Sequence, residues 1–263
     1  MGLTVLKGLN MKSTLLALAL CGVTLTSFAQ TSLTSEEKNV FVTIANQDIE
    51  AMRHGEESIF FPKNGEHYAS IVPTEALEVI YSRGEAKANE IFTNKWVILE
   101  GIVSDVHFLK DRNQSSILFK TQRPNVSVIA QLDNPKAQEK NLTQVRQNEL
   151  ARLVCKSKGK VENELRFEEC QVLSYFADQT QLRISKAIED FSNGTTGDEH
   201  VDKLITHVVV LTSLMNEEQL ALCKDPIGVS QALKQVMVKY NRRSNQNPKA
   251  QARLKVLCLP TFK

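Results

Sequence analysis

Five cysteines constrain this chain more than any other feature. One of them, Cys21, lies in an apolar run near the N-terminus. The other four, Cys155, Cys170, Cys223 and Cys258, then form an even set available for two disulfides, which places the folded chain in an oxidising compartment. Their spacings of 14, 52 and 34 intervening residues contain no Cys-x-x-Cys pair, so zinc binding and thioredoxin-like exchange are set aside.

From Met11 the chain has the grammar of a secretory signal: a basic start at Lys12, an apolar stretch from Leu15 to Phe28, and small residues at Ser27 and Ala29 before Gln30. Residues 1–29 are therefore read as a signal peptide cleaved near Ala29, giving a periplasmic or secreted protein. The run is interrupted by Gly22, Thr24, Thr26 and Ser27, which argues against a stable membrane span after cleavage.

The chain holds 32 basic and 30 acidic residues, and removal of Lys7 and Lys12 with the signal leaves 30 against 30. A neutral mature chain lacks the bulk positive charge that nucleic acid or an anionic membrane would call for. The charge is uneven, however. Residues 226–263 carry eight bases and no acid, read as compensated by acidic segments of the same chain rather than by an acidic partner.

Residues 35–53 place Val40, Phe41, Ile44, Ile49 and Met52 at helical spacing, with Ser35 as the cap and Gly55 as the stop. A loop through Pro62, Asn64 and Gly65 leads to a second helical pattern from Thr74 to about Ile91. From Lys95 the texture becomes β-branched. A long strand over residues 95–108 is bent at Gly101, and strands at 116–121 and 126–132 follow. Residues 134–148 read as a polar helix, and two strands at 151–156 and 165–173 complete the series. Three strands, a helix and two strands is the element order of an OB-fold, a small Greek-key barrel whose first strand must curl to pair on both sides.

The same region resembles a known family. Ala86, Ala88 and Asn89-Glu90, then Lys95-Trp96-Val97 and Glu100-Gly101-Ile102-Val103, look like the opening of the secreted tRNA_anti-like OB-fold family. The Cys155 to Cys170 segment, ending in Glu168-Glu169-Cys170-Gln171-Val172, is similar to its last two strands. The resemblance spans about residues 74–173 and implies kinship to nucleic-acid binders through fold alone, since such folds host unrelated functions.

Pairing the last two strands about Glu162-Asn163 sets Cys155 opposite Cys170. That bridge closes a loop of about 16 residues, worth about 3 kcal/mol in the chain-entropy model. Leu165 and Phe167 have one parity and Cys170 and Val172 the other, so a shared face demands a bulge near Glu168-Glu169.

Beyond Leu173 the chain reads as helical. Leu182, Ile184, Ile188 and Phe191 precede a breaker at residues 192–198, followed by an apolar helix from His200 to Met215 and helices near 230–242 and from Asn247-Pro248. A bridge between Cys223 and Cys258 is expected to staple this part. It is similar, through Cys223, Pro226, Val229-Ser230, Leu233, Tyr240, Asn247-Pro248 and Cys258, to the Tai-type amidase immunity proteins. The expected class is thus α+β, a small OB-fold barrel preceded by helices and followed by a disulfide-tied helical domain. The divisions are a helical segment at 30–73, the barrel at 74–173, a helix and linker at 174–199, and helices at 200–263.

No phosphate loop, dinucleotide fingerprint, nucleophile elbow or His-Glu-x-x-His helix is present. The five histidines are scattered, and the acidic doublets read as solvated faces, so no catalytic residue, metal ligand or cofactor is assigned. Trp96 reads as a core anchor. Phe108, Lys110, Arg112, Phe119, Lys120 and Arg123 are the candidate ligand-facing residues, a thin set for stacking bases in a basic groove. The expected function is a non-enzymatic exported module that binds a protein, peptide or cell-envelope ligand, with the helical part as a second surface or self-association contact. An inhibitor of an envelope-degrading enzyme and a single-strand oligonucleotide binder are the alternatives.

Overall fold

The protein is described from a computed structural model covering residues 32–65, 67–109, 114–123, 125–192, 198–238, 247–257 and 259. Helix α1 (Ser35–Arg53) opens the fold, followed by a small hairpin of β1 (Lys63–Asn64) and β2 (His67–Tyr68). Strand β3 (Ser70–Pro73) and helices α2 (Thr74–Arg83) and α3 (Glu85–Phe92) lead into the barrel. The barrel consists of β4 (Trp96–Leu109), β5 (Gln114–Phe119), β6 (Ser127–Leu132), β7 (Leu150–Val161) and β8 (Glu164–Val172), with the one-turn α4 (Glu139–Leu142) between β6 and β7. Helices α5 (Leu173–Ser192), α6 (Glu199–Ser213), α7 (Glu217–Leu222), α8 (Pro226–Met237) and α9 (Pro248–Val256) follow.

The strands run in the order β4-β5-β6-β8-β7, and β7 pairs back onto β4 to close the barrel. β6 and β8 are parallel and the other barrel pairs antiparallel, which is the OB-fold arrangement. Closure depends on β4 serving two partners in turn. Its first half, Trp96 to Ile102, pairs with β7, and its second, Val103 to Leu109, pairs with β5. The switch occurs beside Gly101, where a Cβ would lie 2.5 Å from Thr74 Oγ1 and 2.8 Å from Phe119 Cδ1. Only glycine lets the strand pass that close.

β3 adds a sixth strand, parallel to the first half of β4. The sequence pattern places this segment in the loop before the second helix, and the structure makes it a strand. The second expected helix is also two, because the chain breaks at Gly84. At α1 the cap is Thr34 rather than Ser35. The Thr34 hydroxyl accepts from Glu37 N (3.2 Å), and the Glu37 carboxylate accepts from Thr34 N (2.8 Å), a reciprocal capping box.

The bridge between Cys155 and Cys170 is formed, with its Cα atoms 4.2 Å apart. The pairing turns about Glu162-Asn163, and the register shifts between the Lys156–Glu168 and Val154–Gln171 pairs. Glu169, at φ 54°, takes up the extra residue, so Leu165 and Phe167 as well as Cys170 and Val172 all face the barrel interior. The expected second bridge fares differently. Cys223 is a free buried thiol whose Sγ lies 3.8 Å from Met215 Sδ and 3.4 Å from the Gln219 carbonyl oxygen, and Cys258 lies outside the described residues.

Two apolar cores result. One fills the barrel and is capped by Leu77, Tyr81, Ala88 and Phe92 of α2 and α3. The other joins α1 to α5, α6, α8 and α9, so the N-terminal helix packs with the C-terminal helices. A buried ion pair fastens that layer. Arg253 on α9 donates through Nε and Nη2 to the two Glu37 carboxylate oxygens at 3.0 and 2.7 Å, and through Nη2 to the Ser32 carbonyl at 2.8 Å. Arg253 is thereby one of the C-terminal bases neutralised within the chain.

Two outcomes are expected. Replacing Gly101 by alanine should destabilise the protein by about 1–3 kcal/mol through overpacking against Thr74 and Phe119, read as a lower urea midpoint with an unchanged slope. Arg253→Met should cost about 3–5 kcal/mol by stranding the Glu37 carboxylate, and the double change with Glu37→Leu should recover most of that loss in the same assay.

Candidate functional site

The helical layer does not cover the barrel evenly. Ile98 of β4 and Val154 of β7 point outward and belong to the helical core, so the β4–β7 side of the barrel is buried beneath helices. The opposite side, formed by β5, β6 and β8, alternates cleanly. Ile117, Phe119, Val128, Ala130, Leu165 and Phe167 face inward and are buried. Ser116, Leu118, Ile129, Gln131 and Arg166 face outward and retain exposure, as a sheet with one solvated face requires.

Register places Ser116 beside Gln131 and Ile129 beside Arg166. Together with His107 on the second half of β4, and with Glu164 and Glu168 on β8, they line an open concavity of about 290 Å³. Its lining is polar around two apolar residues, Ile129 and Phe167. Its charges are matched locally. Arg166 Nε donates to Glu164 Oε2 at 2.7 Å, Lys158 Nζ to Glu168 Oε2 at 3.1 Å, and the His107 ring lies 2.9 Å from Asp105 Oδ2.

Among the described residues, Phe119, Lys120 and Arg123, which were expected to face a ligand, do not share one surface. Phe119 is 3 % exposed and fills the barrel, because it shares the parity of Ile117. It is a core residue, and the expectation that it faces a ligand is corrected. Lys120 and Arg123 are exposed at the far end of β5. There the Lys120 amide donates to the Ile102 carbonyl at 2.7 Å, and Arg123 borders a separate recess of about 70 Å³ with Tyr81 and Lys160. Phe108 belongs to β4 with its side chain outside the described residues, where Lys110 and Arg112 also lie. The concavity residues escaped the sequence reading because aromatic and basic types were sought there. Counting alternate positions outward from Ile117 and Leu165 would have found Ser116, Arg166 and Glu164.

The tRNA_anti-like family matches residues 11–171, more than half of the chain. The chain belongs to the tRNA_anti-like family. The match takes in the strand, hairpin and helices before the barrel and the barrel itself, except Val172, the last residue of β8. No curated protein matches the chain. Among solved structures, a lipoprotein from Klebsiella pneumoniae subsp. pneumoniae, provisionally called nucleic acid-binding, aligns over 40% of this chain and 91% of its own, at 10% identity and a TM-score of 0.33. For this tRNA_anti-like protein, no helix among the described residues is long and apolar enough to cross a membrane, and no group of three or more potential metal ligands occurs among them.

The histidines stay apart. His200 sits between the Phe60 and Tyr68 rings, with both centroids 6.4 Å away, and His207 Nδ1 lies 2.8 Å from the Lys203 carbonyl oxygen. Burial, and then the charge of Arg183, hold the His200 imidazole below its ordinary 6.5. The unfolded chain therefore takes up a proton first as pH falls. His200 contributes stability that is complete above the ordinary value and is lost as pH drops through the lowered one. His200→Gln should accordingly flatten the decline of the urea midpoint between neutral and mildly acidic pH.

Proposed function

We propose that this member of the family is a non-enzymatic binding module of the periplasm or exterior, which recognises a protein or peptide through the open outer face of β5, β6 and β8. The observation that carries the reading is the charge state of that face. Single-stranded nucleic acid is held on such barrels by aromatic platforms and by cations free to meet phosphates. Here Arg166 and Lys158 are each tied to a glutamate, and the outward positions described on β5 and β6 are Ser116, Leu118, Ser127, Ile129 and Gln131. Short polar side chains around the cross-strand pair of Leu118 and Ile129 suit a surface recognised by hydrogen bonds and modest apolar contact.

Export is supported by the buried Cys155–Cys170 bridge, which a reducing cytosol would not maintain, together with the signal grammar of residues 11–29. The absence of enzymatic activity rests on the sequence reading alone.

Ser116→Arg combined with Gln131→Arg blocks the face with outward-pointing groups and leaves both cores intact. Oxidised mature protein should crosslink a defined partner in envelope extract, and the double variant should lose it while keeping the same far-UV spectrum. Salt-sensitive binding of single-stranded oligonucleotides by the wild type would overturn the reading, as would robust turnover in a hydrolase screen.

A further inference from the structure

The barrel strands close on one another, but β3 leaves an edge open. Among the described strands it pairs with β4 alone, from Ser70 with Val97 to Pro73 with Glu100. Its other edge faces solvent, where Ser70, Ile71 and Pro73 are exposed. A strand edge presents unpaired N–H and C=O groups to any extended chain that reaches it. β3 is four residues long and ends on proline, features that limit indiscriminate pairing while leaving room for a short partner.

Beside this edge lies a second concavity of about 290 Å³, between β3 and the segment running from Gly55 to Phe61. Phe61, Tyr68 and Ile98 give it an apolar floor, and Ile71 borders it from the strand. Glu56 and Glu57 stand exposed at its rim, and neither is in an ion pair with another described residue. The nearby Arg152 does not offset them, since its Nε is held by Glu100 Oε2 at 2.6 Å and its Nη1 by the His54 carbonyl at 3.0 Å. Lys63 lies with its Nζ 5.2 Å from the Tyr68 ring centroid, so an aromatic face of this floor already attracts an ammonium group.

We propose that this edge and concavity bind an extended peptide carrying lysine or arginine. The peptide backbone adds to β3 as a further strand, and alternate side chains enter the concavity. A cationic head reaches Glu56 and Glu57 while its methylene stem lies on Tyr68 and Ile71. The site is separate from the open face of β5, β6 and β8 and does not depend on it.

The probe is a labelled synthetic peptide of alternating lysine and valine, titrated into the oxidised mature protein and followed by fluorescence anisotropy. It should bind, protect the amides of Ser70 to Val72 from hydrogen exchange, and bind about tenfold more weakly to the Glu56→Gln, Glu57→Gln variant. A peptide with glutamate in place of lysine should not bind, and alternate backbone N-methylation should abolish binding without altering the protein. The Ser116→Arg, Gln131→Arg variant should bind the probe as the wild type does. The proposal is overturned by absence of binding, by equal binding of the acidic or N-methylated peptide, by indifference to the two glutamates, or by protection confined to β5 and β6.

Discussion

The whole architecture depends on one strand and its closing partner being buried on both faces. In β4, Val97 and Leu99 enter the barrel while Ile98 between them enters the helical core, and in β7 Leu153 and Cys155 go inward while Val154 goes outward. None of these residues is more than 4 % exposed. The β4–β7 pair is therefore a shared wall between two cores, and the alternation of the pleat couples them. A slip of one residue in its register would turn both sets of side chains to the wrong side at once. Such a wall fixes where helices can sit, and by exclusion it leaves the outer face of β5, β6 and β8 open to solvent.

Two local devices hold this wall in place. Gly101 lets β4 change partners under Thr74 and Phe119, and the left-handed Glu169 lets β8 present Leu165, Phe167, Cys170 and Val172 to one interior. The Cys155–Cys170 bridge lies between these bends and restrains the unfolded chain near the last pair of strands. On the other side of the wall, the Glu37 and Arg253 pair joins residues far apart in the chain. Because its partners are largely removed from water, it stabilises chiefly by specifying where α9 must dock, and either charge left alone would be costly.

What could be read from the sequence follows the range of the interactions involved. The barrel order, a first strand that pairs on both sides, the Cys155–Cys170 pairing and the bulge near Glu169 all come from local periodicity and parity, and the structure forms each of them. β3 was missed because four residues ending in proline carry too little alternation to mark a strand. Its existence depends on the edge that β4 offers 27 residues later in the chain. The docking of α1 on α5 and α6 is equally non-local. At the open face the error was different in kind. Phe119 was chosen for its chemistry, although its parity with Ile117 already assigned it to the core.

The free edge and the open face relate differently to the two cores. β3 borders the first half of β4, where Ile98 passes beneath Phe61 into the helical layer, whereas β5, β6 and β8 form a face that the helices do not cover. Occupation of the β3 edge would therefore press on residues shared with α1 and with Phe60 and Phe61, close to His200. Occupation of the barrel face meets side chains that alternate away from both cores. The two surfaces are thus mechanically distinct. β4 touches both, its first half as the partner of β3 and His107 on its second half at the barrel face.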